Sequence, residues 1–171
     1  ASGKAAEQVA EALMIADIQQ ACDQLAPIYE LTEGRDGFVS LELPPALSHD
    51  AAGSVAKARE LRARVDRRNV LIKVPGTPAG VQAFEELTAA GINVNVTLLF
   101  AVSAYEAVAH AYVNGLERRA AAGGSLDAAA SVASFFVSRI DALADSLLTE
   151  RAQAETAPAK RARIDAALGT V

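Results

Sequence analysis

Cysteine is nearly absent from this chain, since Cys22 is the only one among 171 residues. A disulfide within the chain is therefore excluded, which is typical of proteins that work in a reducing compartment. Cys22 lies at helical spacing from Ile18 and Leu25. We therefore expect it to be a buried core residue and not a reactive thiol.

Long apolar runs and an excess of basic residues are missing as well. The sequence contains no run of about 18 apolar residues that could span a bilayer, and its pattern leads us to expect no secretory leader with charged, apolar and cleavable regions. The formal net charge is −5 at pH 7, which argues against general nucleic-acid binding. We expect a cytoplasmic protein without nucleic-acid or membrane partners.

Residue patterns that bind common cofactors are also absent. His49 and His110 are the only histidines, and neither stands at metal-ligand spacing from cysteines or carboxylates. The glycine-rich signatures of dinucleotide and mononucleotide sites do not occur. The sequence thus gives no reason to expect a metal ion or another cofactor.

Apolar residues, in contrast, are abundant and make up 51% of the chain. Their spacing alternates along the sequence between the period of a helix and the period of a strand. A helix is expected over residues 4–30, with a break near Pro27. Strand–helix units are expected at about residues 38–66, 70–90, 92–121 and 132–150, with a helical tail at 159–168. This order predicts one α/β domain, residues 1–171, with parallel strands covered by helices.

Side chains mark the start of two of these helices. Asp50 is expected to cap the helix that follows the first strand. Thr77 and Pro78 supply a cap and a first-turn proline for the helix that follows the second strand. These signals fix two loop–helix boundaries on the side of the sheet where parallel strands end.

The strand faces distinguish two architectures. A complete open sheet would be covered by apolar helices on both faces, whereas a (β/α)8 barrel, usually of about 250 residues, has one face that lines its interior. Three predicted strands carry polar side chains on one face. This favours about four strands of an incomplete TIM-type barrel with a site at its mouth. The polar residues are Ser40, Glu42, Lys73, Asn93, Asn95 and Thr97.

Lys73 interrupts an apolar run from Val70 to Val74 that is typical of a buried parallel strand. Burying an unpaired ammonium group costs several kcal/mol, so burial would lower the lysine pKa and leave a neutral amine. Such an amine is a nucleophile toward carbonyl groups, and Schiff-base chemistry is its leading use. The alternative is an ordinary strand-end lysine that extends to solvent.

The residues expected around Lys73 suit that chemistry. Glu42, Asn95 and Thr97 lie on the same face of adjacent strands, where they supply an acid/base group and neutral groups that can hold a carbinolamine or a water. Each could instead satisfy a loop, an ion pair or backbone groups. Arg139 follows the fourth strand at the start of a helix, where it could hold a phosphate or form a surface ion pair.

Five segments of the sequence resemble transaldolase, in particular its actinobacterial branch. They occur in the order and spacing of that family, and the similarity covers nearly the whole chain. The segments are ALMIADIQQAC (12–22), DGFVSLE (36–42), NVLIKVPGT (69–77), GINVNVTLLF (91–100) and ASFFVSRI (133–140).

The resemblance implies a (β/α)8 barrel and a cofactor-free reaction of the non-oxidative pentose phosphate pathway. In that reaction a dihydroxyacetone unit passes from a ketose phosphate, fructose 6-phosphate, to erythrose 4-phosphate. Lys73 matches the Schiff-base lysine, and Glu42 and Thr97 match the pair that positions a proton-carrying water. The implied substrate-binding residues are Asn95 for hydroxyls, Ser134 for the dihydroxyacetone unit, Arg139 for the phosphate, and Phe136.

Fructose-6-phosphate aldolases share the lysine strand but typically have glutamine in place of Glu42 and tyrosine in place of Phe136. The residues found here therefore favour transaldolase, with a Schiff-base aldolase as the alternative. In the last segment, Phe135 and Ser138 replace the proline and glycine of many transaldolases. That loop is therefore expected to differ from theirs.

The resemblance also implies that this chain is the central segment of a longer protein. Family members have a first strand with a catalytic aspartate and asparagine, and later strands with a second serine–arginine phosphate site. Asp17 is expected in the helix before the first strand here, so it cannot replace that aspartate. A third hypothesis is therefore a non-catalytic half-barrel that assembles as a homo-oligomer or with the missing barrel segments.

Overall fold

The computed structural model describes residues 6–170 and contains one four-stranded sheet with flanking helices. The strands follow each other across the sheet in chain order, with β1–β2 and β2–β3 paired in parallel. This is the incomplete TIM-type barrel that the sequence predicts. The elements are α1 (Ala6–Leu31), β1 (Val39–Glu42), a short 3-10 helix (Pro45–Leu47), α2 (Ala51–Val65), β2 (Val70–Pro75), α3 (Pro78–Ala89), β3 (Val94–Leu99), α4 (Val102–Ala121), β4 (Ser131–Phe135), α5 (Val137–Ala154) and α6 (Pro158–Asp165).

Every predicted strand–helix unit is present, with bounds that differ by a few residues. The third strand begins at Val94 where residue 92 is predicted, and the helix after the fourth strand continues to Ala154. The helical tail ends at Asp165, before the predicted residue 168. The predicted start of the first helix at residue 4 lies outside the described residues.

The break predicted at Pro27 is wrong, because α1 continues through this residue to Leu31. Proline removes one backbone hydrogen bond, but side chains on both sides of it are anchored in the core. Ile15, Cys22 and Tyr29 all lie buried on one side of the helix. Burial raises the pKa of the Cys22 thiol, in agreement with a packing role.

Both predicted helix caps are confirmed. The Asp50 carboxylate accepts a hydrogen bond from the Gly53 N–H at 2.9 Å, and the Thr77 hydroxyl accepts one from the Gly80 N–H at 3.0 Å. Each cap satisfies a backbone donor that the first helical turn leaves without a partner. The caps therefore fix where the chain turns into a helix after β1 and after β2.

The central strands β2 and β3 form the most buried part of the sheet. Residues that alternate along each of them have no exposed surface and pack into the core. Lys73, Asn95 and Thr97 are among the residues at the positions between, so the opposite face carries the amine and amide groups considered below. The fully buried residues of this set are Val70, Ile72, Val74, Val94 and Val96.

Helices α3 and α4 pack closely because Gly115 has no side chain. A Cβ at this position would lie 2.6 Å from Thr88 Cβ and 2.8 Å from the Glu85 carbonyl oxygen. Phe84 and Tyr112 stack near this crossing, with ring centroids 5.9 Å apart. The pair of helices thereby forms a firm support for strands β2 and β3.

The chain separates into two compact units, Ala1–Ser134 and Phe135–Val171. The first contains the sheet as far as Ser134 and helices α1 to α4. In the second, which contains α5 and α6, the Asp145 carboxylate accepts a hydrogen bond from the Gly169 N–H at 2.9 Å. The assignment of one domain to the whole chain stays a prediction. Within residues 6–170, no helix is long and apolar enough to cross a membrane.

Candidate active site

The register of the parallel strands brings three of the predicted site residues into one row. Glu42 is opposite Lys73, and Lys73 is opposite Asn95. Registered residues in neighbouring strands point to the same face, so the carboxylate, the amine and the amide lie side by side. Glu42 is the last residue of β1, so the row reaches the carboxyl end of that strand, the side on which barrels carry their active sites.

The amine of Lys73 forms an ion pair with Glu42, with 3.9 Å between Nζ and Oε1. The strand around Lys73 is buried, as predicted, but the Lys73 side chain is 29% exposed. The amine is therefore half-buried, between the two interpretations that the sequence leaves open. The long side chain leaves the strand on its polar face and reaches solvent beside a carboxylate that is 63% exposed.

Asn95 connects three strands through its side-chain amide. Its Oδ1 accepts a hydrogen bond from Ser134 Oγ on β4 at 2.8 Å, and its Nδ2 donates to Ser40 Oγ on β1 at 3.1 Å. An amide can make about four hydrogen bonds, so one N–H and one lone pair remain for a ligand. Ser134, predicted from the resemblance, thus lies beside Asn95.

Thr97 lies two residues after Asn95 on β3, and only 2% of its surface is exposed. Its Oγ1 has no hydrogen-bond partner among the described residues, which is unusual for a buried hydroxyl. The following residue, Leu98, has a φ of 62°, a left-handed conformation that is rare for a bulky side chain and common at functional sites. Thr97 therefore offers a hydroxyl that could hold water or substrate.

A threonine also ties together the two loops beside this row. Thr77 Oγ1 donates a hydrogen bond to the Ser48 carbonyl oxygen at 2.5 Å, in addition to its role as a helix cap. The loop after β1 is thereby fastened to the loop after β2. Because Glu42 and Lys73 precede these loops, the link restrains the ends of the strands that carry them.

Phe136 and Arg139 belong to the second compact unit, at the start of α5. The guanidinium carbon of Arg139 lies 4.4 Å from the Phe136 ring centroid, a cation–π contact. Arg139 is exposed, and it lies in the first turn of α5, where the sequence places it. Its role as a phosphate ligand stays a prediction.

Ser40 is a member of this site that is absent from the residues predicted for it. Its place on the polar face of β1 follows from strand alternation, and this was the available signal. The bond to Asn95 could not be read from the sequence, because β2 separates the two strands in the sheet. A contact across an intervening strand depends on the curvature of the sheet and on side-chain rotamers.

Metal ligands do not cluster in the part of the chain that the structure describes. No group of three or more histidine, cysteine, aspartate or glutamate residues there could hold a metal ion. His49 is exposed in a turn and His110 is exposed on α4. Asp17 is exposed on α1, in the helix where the sequence predicts it.

Comparison with known proteins is consistent with this geometry. The family model described as Transaldolase/Fructose-6-phosphate aldolase matches residues 1–167. The transaldolase of Thiobacillus denitrificans is 56% identical over 138 residues, which are 81% of this chain and 38% of that protein. The transaldolase of Trichodesmium erythraeum is 43% identical over 170 residues, which are 99% of this chain and 45% of that protein.

An actinobacterial relative is similar over most of the chain. Transaldolase 1 of Streptomyces avermitilis is 46% identical over 148 residues, which are 86% of this chain and 39% of that protein. The chain thus spans less than half the length of each of these curated relatives. The family resemblance of the five sequence segments is confirmed: the chain belongs to the transaldolase/fructose-6-phosphate aldolase family.

Proposed function

We propose that the protein containing this chain transfers a dihydroxyacetone unit from fructose 6-phosphate to erythrose 4-phosphate through a Schiff base on Lys73. The observation that carries the proposal is the row formed by Glu42, Lys73 and Asn95. It places an amine 3.9 Å from a carboxylate and in register with an amide. A nucleophile, an acid/base group and a hydroxyl ligand are the groups that such a reaction needs.

The first half of the proposed reaction cleaves the ketose. The amine of Lys73 attacks C2, and loss of water from the carbinolamine gives an iminium ion. A base removes the proton from the C4 hydroxyl, the C3–C4 bond breaks, and its electron pair moves into the iminium to form an enamine. Glyceraldehyde 3-phosphate leaves. Glu42, with Thr97, is the pair proposed to hold the water that carries these protons.

The second half reverses these steps on a new acceptor. C3 of the enamine attacks the aldehyde carbon of erythrose 4-phosphate, and the resulting alkoxide takes up a proton. Water then hydrolyses the iminium and frees Lys73. We assign Asn95 and Ser134 to the hydroxyls of the dihydroxyacetone unit because their side chains meet at 2.8 Å. From the family resemblance, Arg139 is assigned to the substrate phosphate, and Phe136 is assigned as a further substrate-binding residue.

A product assay separates transfer from simple aldol cleavage. We expect the product of the complete coding sequence to form sedoheptulose 7-phosphate from fructose 6-phosphate and erythrose 4-phosphate, with little free dihydroxyacetone. Chromatographic quantification with and without erythrose 4-phosphate checks this. Release of dihydroxyacetone at an equal rate without acceptor would favour the aldolase alternative, and no turnover of either kind would reject the proposal.

Thr97→Val is expected to separate activity from stability. Removing a buried hydroxyl that has no partner among the described residues should leave the free energy of unfolding unchanged or raise it by up to about 1 kcal/mol. If Thr97 helps to hold the proton-carrying water, kcat should fall by about 10- to 100-fold. Steady-state kinetics and denaturant unfolding of the same preparation measure both quantities.

Thr88→Val is the matched control, because Thr88 is a buried threonine on α3, outside the row of site residues. This control should keep kcat within about twofold of the unaltered protein. Full activity of Thr97→Val, or a clear loss of stability in it, would contradict the role assigned to Thr97.

A further inference from the structure

Ser40 makes a hydrogen bond that joins two strands that are not neighbours. It lies on β1 in register with Leu71, whereas Asn95 lies on β3 in register with Lys73. The 3.1 Å bond from Asn95 Nδ2 to Ser40 Oγ therefore crosses β2 on the polar face of the sheet. It extends along the face on which Lys73 is in register with Asn95.

The bond to Ser40 holds the Nδ2 end of the Asn95 amide, and the bond from Ser134 holds its Oδ1 end. Asn95 Oδ1 accepts from Ser134 Oγ at 2.8 Å, so the amide has one hydroxyl partner at each end. Two partners restrain rotation about the terminal torsion of asparagine, which is otherwise broad. With only one of them, the amide plane could turn about that torsion while it keeps a hydrogen bond.

We propose that Ser40 is a positioning residue, which holds the Asn95 amide plane so that its remaining N–H and the adjacent Ser134 hydroxyl both face the dihydroxyacetone unit. The inference rests on the proposed function, because it concerns the orientation of a group assigned to substrate binding. Ser40 acts through Asn95 and needs no contact with the substrate. A small misplacement of a binding group lowers rate far more than it lowers stability.

The surroundings of Ser40 favour this role over a structural one. Ser40 is half-buried, and Asn95 is the one side-chain partner that the structure gives it within residues 6–170. A single hydrogen bond between two neutral, partly exposed groups contributes little to folding. The larger consequence of the Ser40–Asn95 hydrogen bond is that it orients the Asn95 amide.

The test measures kcat/KM for fructose 6-phosphate, with saturating erythrose 4-phosphate, in the product of the complete coding sequence. Ser40→Ala should lower kcat/KM roughly tenfold, the size expected for loss of one neutral hydrogen bond. Ser40→Thr keeps the oxygen and should remain within about threefold of the unaltered protein. Ser131→Ala is the matched control, since the Ser131 hydroxyl bonds only the Val94 carbonyl oxygen among the described residues.

A double-mutant cycle with Asn95→Ala gives the discriminating readout. If Ser40 acts through Asn95, Ser40→Ala should change kcat/KM by less than about twofold once Asn95 is alanine. Thermal unfolding of each variant verifies that it is folded. Equal activity of Ser40→Ala and the unaltered protein, or an undiminished effect in the Asn95→Ala background, would overturn the inference alone. No transfer by the unaltered protein would overturn the proposed function and the inference with it.

Discussion

Replacing Lys73 by arginine in the product of the complete coding sequence is expected to lower kcat for dihydroxyacetone transfer by at least about 1,000-fold. Arginine keeps a positive charge beside Glu42, whose carboxylate lies 3.9 Å from the lysine amine. A guanidinium group stays protonated and does not form a Schiff base with a ketose. The substitution therefore removes the nucleophile while it keeps the ion pair. Steady-state kinetics of transfer measure the effect.

Lys57→Arg is the matched control for this experiment. Lys57 lies on α2 and forms ion pairs with Glu11 and Glu60, which an arginine can also make. Its activity should stay within about twofold of the unaltered protein. Substantial transfer by Lys73→Arg, or an equal loss in Lys57→Arg, would contradict the assignment of Lys73 as the nucleophile.

Asn69→Ala is expected to lower the free energy of unfolding by about 2–4 kcal/mol. Asn69 is only 3% exposed, and its Nδ2 donates to the carbonyl oxygens of Cys22 and Gly37, both at 2.9 Å. One side chain thus ties α1, the loop before β1 and the start of β2. Alanine would leave two buried carbonyl groups without this donor, so the loss should exceed that of an ordinary hydrogen bond. Denaturant unfolding at neutral pH measures the change.

The loop that Asn69 ties to α1 packs closely against that helix at Gly37. Gly37 has a φ of 77°, and a Cβ there would lie 2.5 Å from the Tyr29 backbone nitrogen. The exposed Asn114, which donates to Glu85 at 3.3 Å, is the control position. Asn114→Ala should change stability by less than about 0.5 kcal/mol. Similar losses in the two alanine variants would contradict the bridging role of Asn69.

The fold could be predicted well wherever the signal is local. Asp50 and Thr77 cap helices in the structure because a short polar side chain directly before a helix can accept a hydrogen bond from a backbone N–H of the first turn. Strand alternation placed Glu42, Lys73 and Asn95 on one face, and their register confirms that they form a row. The hydrophobic period of the sequence and its helix-capping residues thus predict both the order of the helices and strands and the residues that meet across neighbouring strands.

Features that depend on contacts between residues far apart in the chain could not be predicted from the sequence. The continuous helix at Pro27 results from core packing of residues on both sides of it, which propensity does not include. Asn69 reads as an ordinary residue before a strand, yet its amide reaches α1 through a contact 47 residues away in sequence. The Ser40–Asn95 bond crosses a strand for the same reason. In each case the partner is set by tertiary geometry and not by local pattern.

The partial burial of Lys73 illustrates the same limit at the site itself. An apolar strand predicts a buried backbone, and β2 is buried. It does not predict how far a four-carbon side chain extends, and this one carries its amine to the open polar face beside Glu42. The chemistry assigned to Lys73 therefore rests on its register with Glu42 and Asn95, and not on burial.

Borohydride trapping tests the central claim most directly. The product of the complete coding sequence is incubated with fructose 6-phosphate, reduced with sodium borohydride, digested and analysed by peptide mass spectrometry. The proposed mechanism predicts a reduced dihydroxyacetone adduct on the peptide that contains Lys73, and none on the peptide that contains Lys57. An adduct on another lysine, or active protein without any adduct on Lys73, would contradict it.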